Sequence, residues 1–95
     1  MSNDDPIRVP IEDAIDLHSF APQDIASVVE EYLLAASEAG FSEVRLIHGR
    51  GKGVQRADLH RRLRGHPLVD QWWDAPESHL GATVVRLRRG GGPDR

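Results

Sequence analysis

The chain is 95 residues long and contains no cysteine, which suits one small domain and excludes disulfides, thiolate metal sites and a cysteine nucleophile. Its net charge of −3 hides an asymmetry: residues 1–43 carry −9 and residues 44–95 carry +6. Such a split suggests one face that meets a polyanion, although solvated charges that simply segregate by element would give the same totals.

No apolar run approaches the ~20 residues of a membrane span, and Met1–Pro10 has no apolar segment of signal-peptide type. The expectation is therefore a cytoplasmic protein with no membrane partner. Residues 1–12 are expected to form a flexible leader, 13–89 the folded domain, and the glycine-rich 90–95 a flexible tail.

Asp13–His18 alternates as a short strand, with Ile15 and Leu17 on one face and Asp16 and His18 on the other. Pro22 suits the first position of a helix that runs to about Gly40. Ile25, Val28, Val29, Tyr32, Leu33 and Ala36 form its apolar stripe, and Gly40 is its natural stop. A second strand, Phe41–His48, leads into the glycine-rich loop His48–Gly53 (HGRGKG). The next helix, from about Gln55 to Arg64, turns Leu59 and Leu63 inward. Val69–Trp73 and Ala82–Arg89 complete the strands, with Thr83, Val85 and Leu87 on the opposite side from Val84, Arg86 and Arg88. Trp72 and Trp73, adjacent on a strand, must face opposite ways, one into the core and one onto the open sheet face.

The order β-α-β-α-β-β predicts a two-layer α/β sandwich: a four-stranded mixed sheet with two helices on one face and a right-handed first crossover. A short link of roughly eight residues after Trp73 favours antiparallel pairing for the last strand. Parallel first and second strands would end at the same sheet edge, where ligands of open α/β folds bind. Asp16 and His18 would then meet His48 and its loop.

Gly49, Gly51 and Gly53 permit backbone conformations and close approaches closed to other residues. Their N–H groups and the following helix N-terminus suit a phosphate, and Arg50, Lys52 and Arg56 supply positive charge beside it. Arg61 and Arg62 extend that charge along the helix. The spacing is neither a Walker A motif nor a dinucleotide fingerprint. Asp16, His18 and His48 are candidate catalytic groups, because histidine titrates near neutral pH. Taken alone, Asp16 could equally pin the turn, and His18 could be a satisfied structural side chain. His60, His66 and His79 show no ligand spacing and read as surface or structural. No metal site is assigned; the close carboxylate cluster of two-metal nucleases is missing, and Mg²⁺ or Mn²⁺ stays open as a cofactor.

Asp16-Leu17-His18 followed by an amphipathic helix resembles the DLHG motif that opens Smr (small MutS-related) domains. Ile47–Gly53 (IHGRGKG) is similar to their HGxG signature, and His66–Leu87 resembles their third strand, connecting loop and closing strand, so the match spans residues 13–89. The resemblance implies a βαβαββ fold similar to the C-terminal domain of translation initiation factor three. It also implies nucleic-acid binding and, in several relatives, endonuclease activity on DNA or RNA. Asp16 and His18 then carry the cleavage role, while His48, Gly49 and Gly51 carry substrate binding. Arg56 falls where relatives often keep an arginine. Three positions depart from the family pattern: Ser19 replaces a glycine, Ala21 a Thr or Ser helix cap, and Gln55 a leucine. The missing cap should cost about 1 kcal/mol.

Three functions follow in order of preference. The first is an endonuclease, and the second a non-catalytic DNA- or RNA-binding module. The third is a protein-interaction adaptor using the acidic residues Glu30, Glu31 and Glu38. Exposed sheet edges would permit a weak homodimer.

Overall fold

The computed structural model describes residues 11–49, 54–78 and 81–88. Four strands, β1 (Ala14–Asp16), β2 (Glu43–Ile47), β3 (Val69–Asp74) and β4 (Ala82–Leu87), form one sheet in the order β1-β2-β4-β3. β1 and β2 are parallel, and β4 is antiparallel to both β2 and β3. It follows that β1, β2 and β3 run the same way and end at one edge, where β4 begins. The expected mixed sheet is present.

Helices α1 (Ile25–Glu38) and α2 (Val54–Leu63) share a single core on one sheet face. Ile25, Val29, Tyr32, Leu33 and Ala36 of α1 and Leu59 and Leu63 of α2 are buried with Val44, Leu46, Val69, Val85 and Leu87 of the strands. Val28 is half-buried at the rim of this core, so the whole predicted α1 stripe faces inward. Ile11 also packs on it, and the Tyr32 hydroxyl donates to the Glu12 carbonyl at 2.5 Å. Contacts with the core thus begin ahead of Asp13. Most of the leader and all of the tail lie outside the described residues.

The start of α1 differs from the expectation. Pro22–Asp24 form a 3-10 turn and regular α-helix begins only at Ile25. Ala21 precedes the turn with no side-chain hydrogen bond, as its methyl group dictates. The far end follows the sequence closely. Gly40 adopts φ +92°, its N–H donates to Ser37 O at 3.1 Å, and Phe41 N–H donates to Ala36 O at 3.0 Å. These paired bonds are a Schellman closure, and they satisfy carbonyls that the last helical turn leaves unpaired.

β3 carries a register irregularity between Val69 and Gln71. In a regular strand Val69 and Trp72 would face opposite ways; the extra residue lets both pack into the main core. Trp73 then joins Ile47, Ala75, Ala82 and Val84 in a small apolar cluster on the other face. There the Arg86 guanidinium lies 5.3 Å from the Trp73 ring centroid.

Candidate functional site

The first strand is shorter than the sequence suggests. It stops at Asp16, and Leu17–Ser19 form a 3-10 turn. The cause is local: Asp16 Oδ1 accepts the His18 backbone N–H at 2.9 Å, which competes with further strand pairing. Leu17 still turns into the core. Asp16 and His18 remain together for a different reason than strand alternation, since the His18 Nδ1 lies 3.0 Å from the same carboxylate oxygen. A carboxylate only accepts, so Nδ1 carries the proton. Both side chains are more than half exposed, at 55% and 57%, and among the described residues Nε2 of His18 has no hydrogen-bond partner.

The second motif reaches this dyad through Gly49. The parallel register sets Asp16 beside Ile47, and Gly49 has φ +83°. A Cβ placed on Gly49 would come within 2.6 Å of His18 Cε1 and closer still to Nε2. The imidazole of His18 therefore rests on the bare glycine. Only glycine offers both the left-handed backbone and the space. His48 N–H and Gly49 N–H each donate to the Gly81 carbonyl, at 3.0 and 2.8 Å, which anchors the start of the loop to the residue before β4. Arg50, Gly51, Lys52 and Gly53 lie outside the described residues.

His48 is placed unlike His18. It is 3% exposed, its Nδ1 lies 2.9 Å from the Gly49 carbonyl, and its Nε2 lies 2.9 Å from Thr83 Oγ1. Thr83 is fully buried and also meets His60 Nε2 at 2.9 Å. His60 packs on the Trp72 ring, with centroids 4.3 Å apart, and its Nε2 is 3.7 Å from Asp74 Oδ1. Asp74 in turn receives two bonds from Arg56, Nε to Oδ1 at 2.8 Å and Nη2 to Oδ2 at 2.6 Å. A continuous polar chain thus runs from the Gly49 carbonyl through His48, Thr83 and His60 to Asp74 and Arg56.

The electrostatics of that chain follow from its geometry. The Arg56 hydrogen bonds hold the Asp74 carboxyl below its ordinary range, and the same bonds raise the guanidinium. Burial, aided by the Arg56 charge, pushes the His60 imidazole below its ordinary value, so His60 resists protonation.

Three predicted cations are engaged within the chain. Arg56 is committed to Asp74 as a bidentate, one-third-exposed pair. Asp58 holds both Arg62, at 2.9 Å, and Arg61, at 3.5 Å, on one exposed face of α2. Among the described residues, no group of three or more His, Asp or Glu side chains is placed to share a metal ion. Nor is any helix there long and apolar enough to cross a membrane.

Sequence reasoning missed Thr83, His60 and Asp74. Thr83 was legible as an inward position of β4 flanked by valine and leucine positions, where a hydroxyl demands a partner. His60 was legible too, one turn after Arg56 on the same helix face. His66, in contrast, fits its structural reading: its Nε2 lies 2.9 Å from Glu30 Oε1 and its Nδ1 accepts Leu68 N–H at 3.0 Å.

The profile of the Smr domain family matches residues 15–88. The chain is 39% identical over 79 residues to a protein named endonuclease MutS2 of Thermomicrobium roseum and 42% identical over 79 residues to that of Pelotomaculum thermopropionicum. In both comparisons 81% of this chain is matched. It spans only 10% of the length of those relatives. Among solved structures, the Smr domain of Thermus thermophilus MutS2 superposes with a TM-score of 0.76 at 33% identity, covering 81% of this chain and 99% of that one. YdaL, a stand-alone small MutS-related protein from Escherichia coli, superposes with a TM-score of 0.75 at 24% identity, over 84% of this chain and 67% of that one, a likeness of fold.

Proposed function

The chain belongs to the Smr domain family, and from that premise we propose that it is an endonuclease that binds a nucleic-acid backbone at the shared strand edge and cleaves a phosphodiester there. The observation that carries the reading is the Asp16–His18 dyad lying against Gly49. Asp16 holds the Nδ1 proton, which leaves Nε2 to take or give a proton at a bound phosphodiester or an attacking water. Gly49 and the loop residues Arg50, Gly51, Lys52 and Gly53 cradle the phosphate. Arg56, Arg61 and Arg62 add positive charge from α2, in competition with Asp74 and Asp58. His48, buried and doubly bonded, positions the loop and does not itself touch substrate. The substrate polymer, DNA or RNA, and the use of Mg²⁺ or Mn²⁺ are what the experiment must decide.

A second reading has its own observation. Asp16 Oδ1 also accepts the backbone N–H of His18, which is what a purely turn-stabilising carboxylate does. On that reading the domain binds nucleic acid without cutting it.

Cleavage of labelled supercoiled DNA and single-stranded RNA by wild type and His18→Ala, with Mg²⁺, Mn²⁺ or a chelator, separates the two. The nuclease reading expects cleavage to fall by roughly 10²–10⁴-fold in the variant, the usual contribution of a general acid or base, while binding is retained. Salt-dependent binding with no cleavage by wild type would establish the binding module instead.

A further inference from the structure

The buried end of the site carries more information than its position. The Gly49 carbonyl can only accept, so His48 Nδ1 must carry a proton to bond it at 2.9 Å. A neutral His48 then has only a lone pair at Nε2. Thr83 Oγ1, at 2.9 Å, has one proton to give, and it must give it there. The same oxygen then has only lone pairs left for His60 Nε2, also at 2.9 Å, so that nitrogen must be the donor. With both imidazoles neutral, one arrangement of protons satisfies all three side chains. Thr83 is completely buried and His48 nearly so, so water cannot substitute for a missing partner.

We propose that Thr83 and His60 are positioning residues for the candidate site, acting through His48: the Thr83 hydroxyl, oriented by His60, fixes the His48 tautomer whose Nδ1–H bonds the Gly49 carbonyl and so holds the glycine on which the His18 ring rests. Asp74, clamped by Arg56, lies 3.7 Å from the same His60 Nε2 and so favours a proton on that nitrogen, and Trp72 supports the ring face. The proton arrangement stands on the geometry alone. Its effect on cleavage rests on the reading of Asp16 and His18 given above.

The test begins with wild-type protein and long-range proton–nitrogen correlation of the imidazole nitrogens at neutral pH. His48 should be protonated at Nδ1 and bare at Nε2, and His60 protonated at Nε2. A His48 proton on Nε2, or an equal mixture of tautomers, overturns the proposal without any variant. Thr83→Val then removes the hydroxyl at nearly constant shape, and Thr83→Ser retains it. The Val variant should lose the single-tautomer signature of His48 and shift the Gly49 amide and His18 ring resonances; the Ser variant should restore all three. Unchanged His48, Gly49 and His18 resonances in a folded Val variant also overturn it. With cleavage measurable, the Val variant should lower kcat by about tenfold to a hundredfold, as loss of an outer hydrogen-bond partner does at metal sites. KM should move little, and Ser should rescue kcat. A wild type that cuts neither polymer removes the nuclease reading but leaves the tautomer measurement decisive for this one.

Discussion

Two histidines stand at neighbouring strand ends and are held in opposite ways. His18 is more than half exposed, with one ring nitrogen bound to Asp16 and the ring laid on Gly49. His48 is buried, with both nitrogens bonded to protein. An imidazole must reach a substrate to exchange a proton with it, and must be unable to move in order to hold a loop. Burial therefore sorts a pair that residue type alone treats as equivalent. The two motifs joined here do different work: DLH presents a group, and the first residue of HGRG fixes the surface on which that group lies.

Gly49 is where the two systems touch, so substituting it should have the largest effect. Gly49→Ala forces a non-glycine residue to φ +83°, at a cost on the order of 1–3 kcal/mol, and drives a methyl group into the His18 ring. Gly40→Ala is the matched control. It meets comparable backbone strain at φ +92°, with nothing within 4 Å of the added methyl group. Both variants should lower the denaturation midpoint; only Gly49→Ala should also displace His18 and depress cleavage or binding. Equal functional loss in the two would show that Gly49 matters as a turn alone, and the link between the motifs would fail.

A smaller effect is expected at the outer end of the buried chain. Asp74→Asn leaves Arg56 without its carboxylate, and loss of a charged, partly exposed pair should cost about 1–2 kcal/mol in chemical denaturation. The same change releases the Arg56 guanidinium. Should Arg56 contact a phosphate, as the sequence suggests, affinity for nucleic acid would rise and its salt dependence would steepen as stability falls. Falling stability with unchanged affinity would leave Arg56 as part of the scaffold.

Much of this architecture is legible in the sequence because it follows from periodicity. The inward stripe of α1, the Gly40 stop, the inward Leu59 and Leu63 and the alternation of β4 each depend on local pattern, and each appears as read. Shared strand ends follow from the parallel β1–β2 pair, so the approach of Asp16 and His18 to the HGRG loop was also within reach. The 3-10 turn at Leu17–Ser19 was not, because it depends on one carboxylate outcompeting strand pairing. Nor was the His48–Thr83–His60 chain. Its members are 35 and 23 residues apart, and the sheet order that sets β4 between β2 and β3 is fixed by tertiary packing. The paired state of Arg56, Arg61 and Arg62 was hidden for a related reason: counting cations does not reveal which carboxylates the fold places beside them.

The last and smallest expected effect is on the acid limb of stability. Burial and the Arg56 charge lower the His60 imidazole below its ordinary value of 6.5, so the unfolded chain binds that proton more readily than the folded one. Stability contributed by a neutral His60 is complete above pH 6.5 and is lost as the pH falls toward the lowered native value. One proton contributes at most about 1.4 kcal/mol per pH unit. Asp74 acts in the same direction at lower pH, since its depressed carboxyl supports the fold above 3.8 and ceases to do so as the pH falls through its native value. His60→Gln supplies an uncharged N–H where Nε2 stands and has nothing to titrate. Its denaturation free energy should therefore fall less steeply than wild type from neutrality downward, with the two curves converging in slope once His60 is protonated in both states of wild type. Parallel curves throughout would mean that His60 is as readily protonated in the fold as in the unfolded chain, and the buried half of the comparison would then lose its distinction from the exposed half.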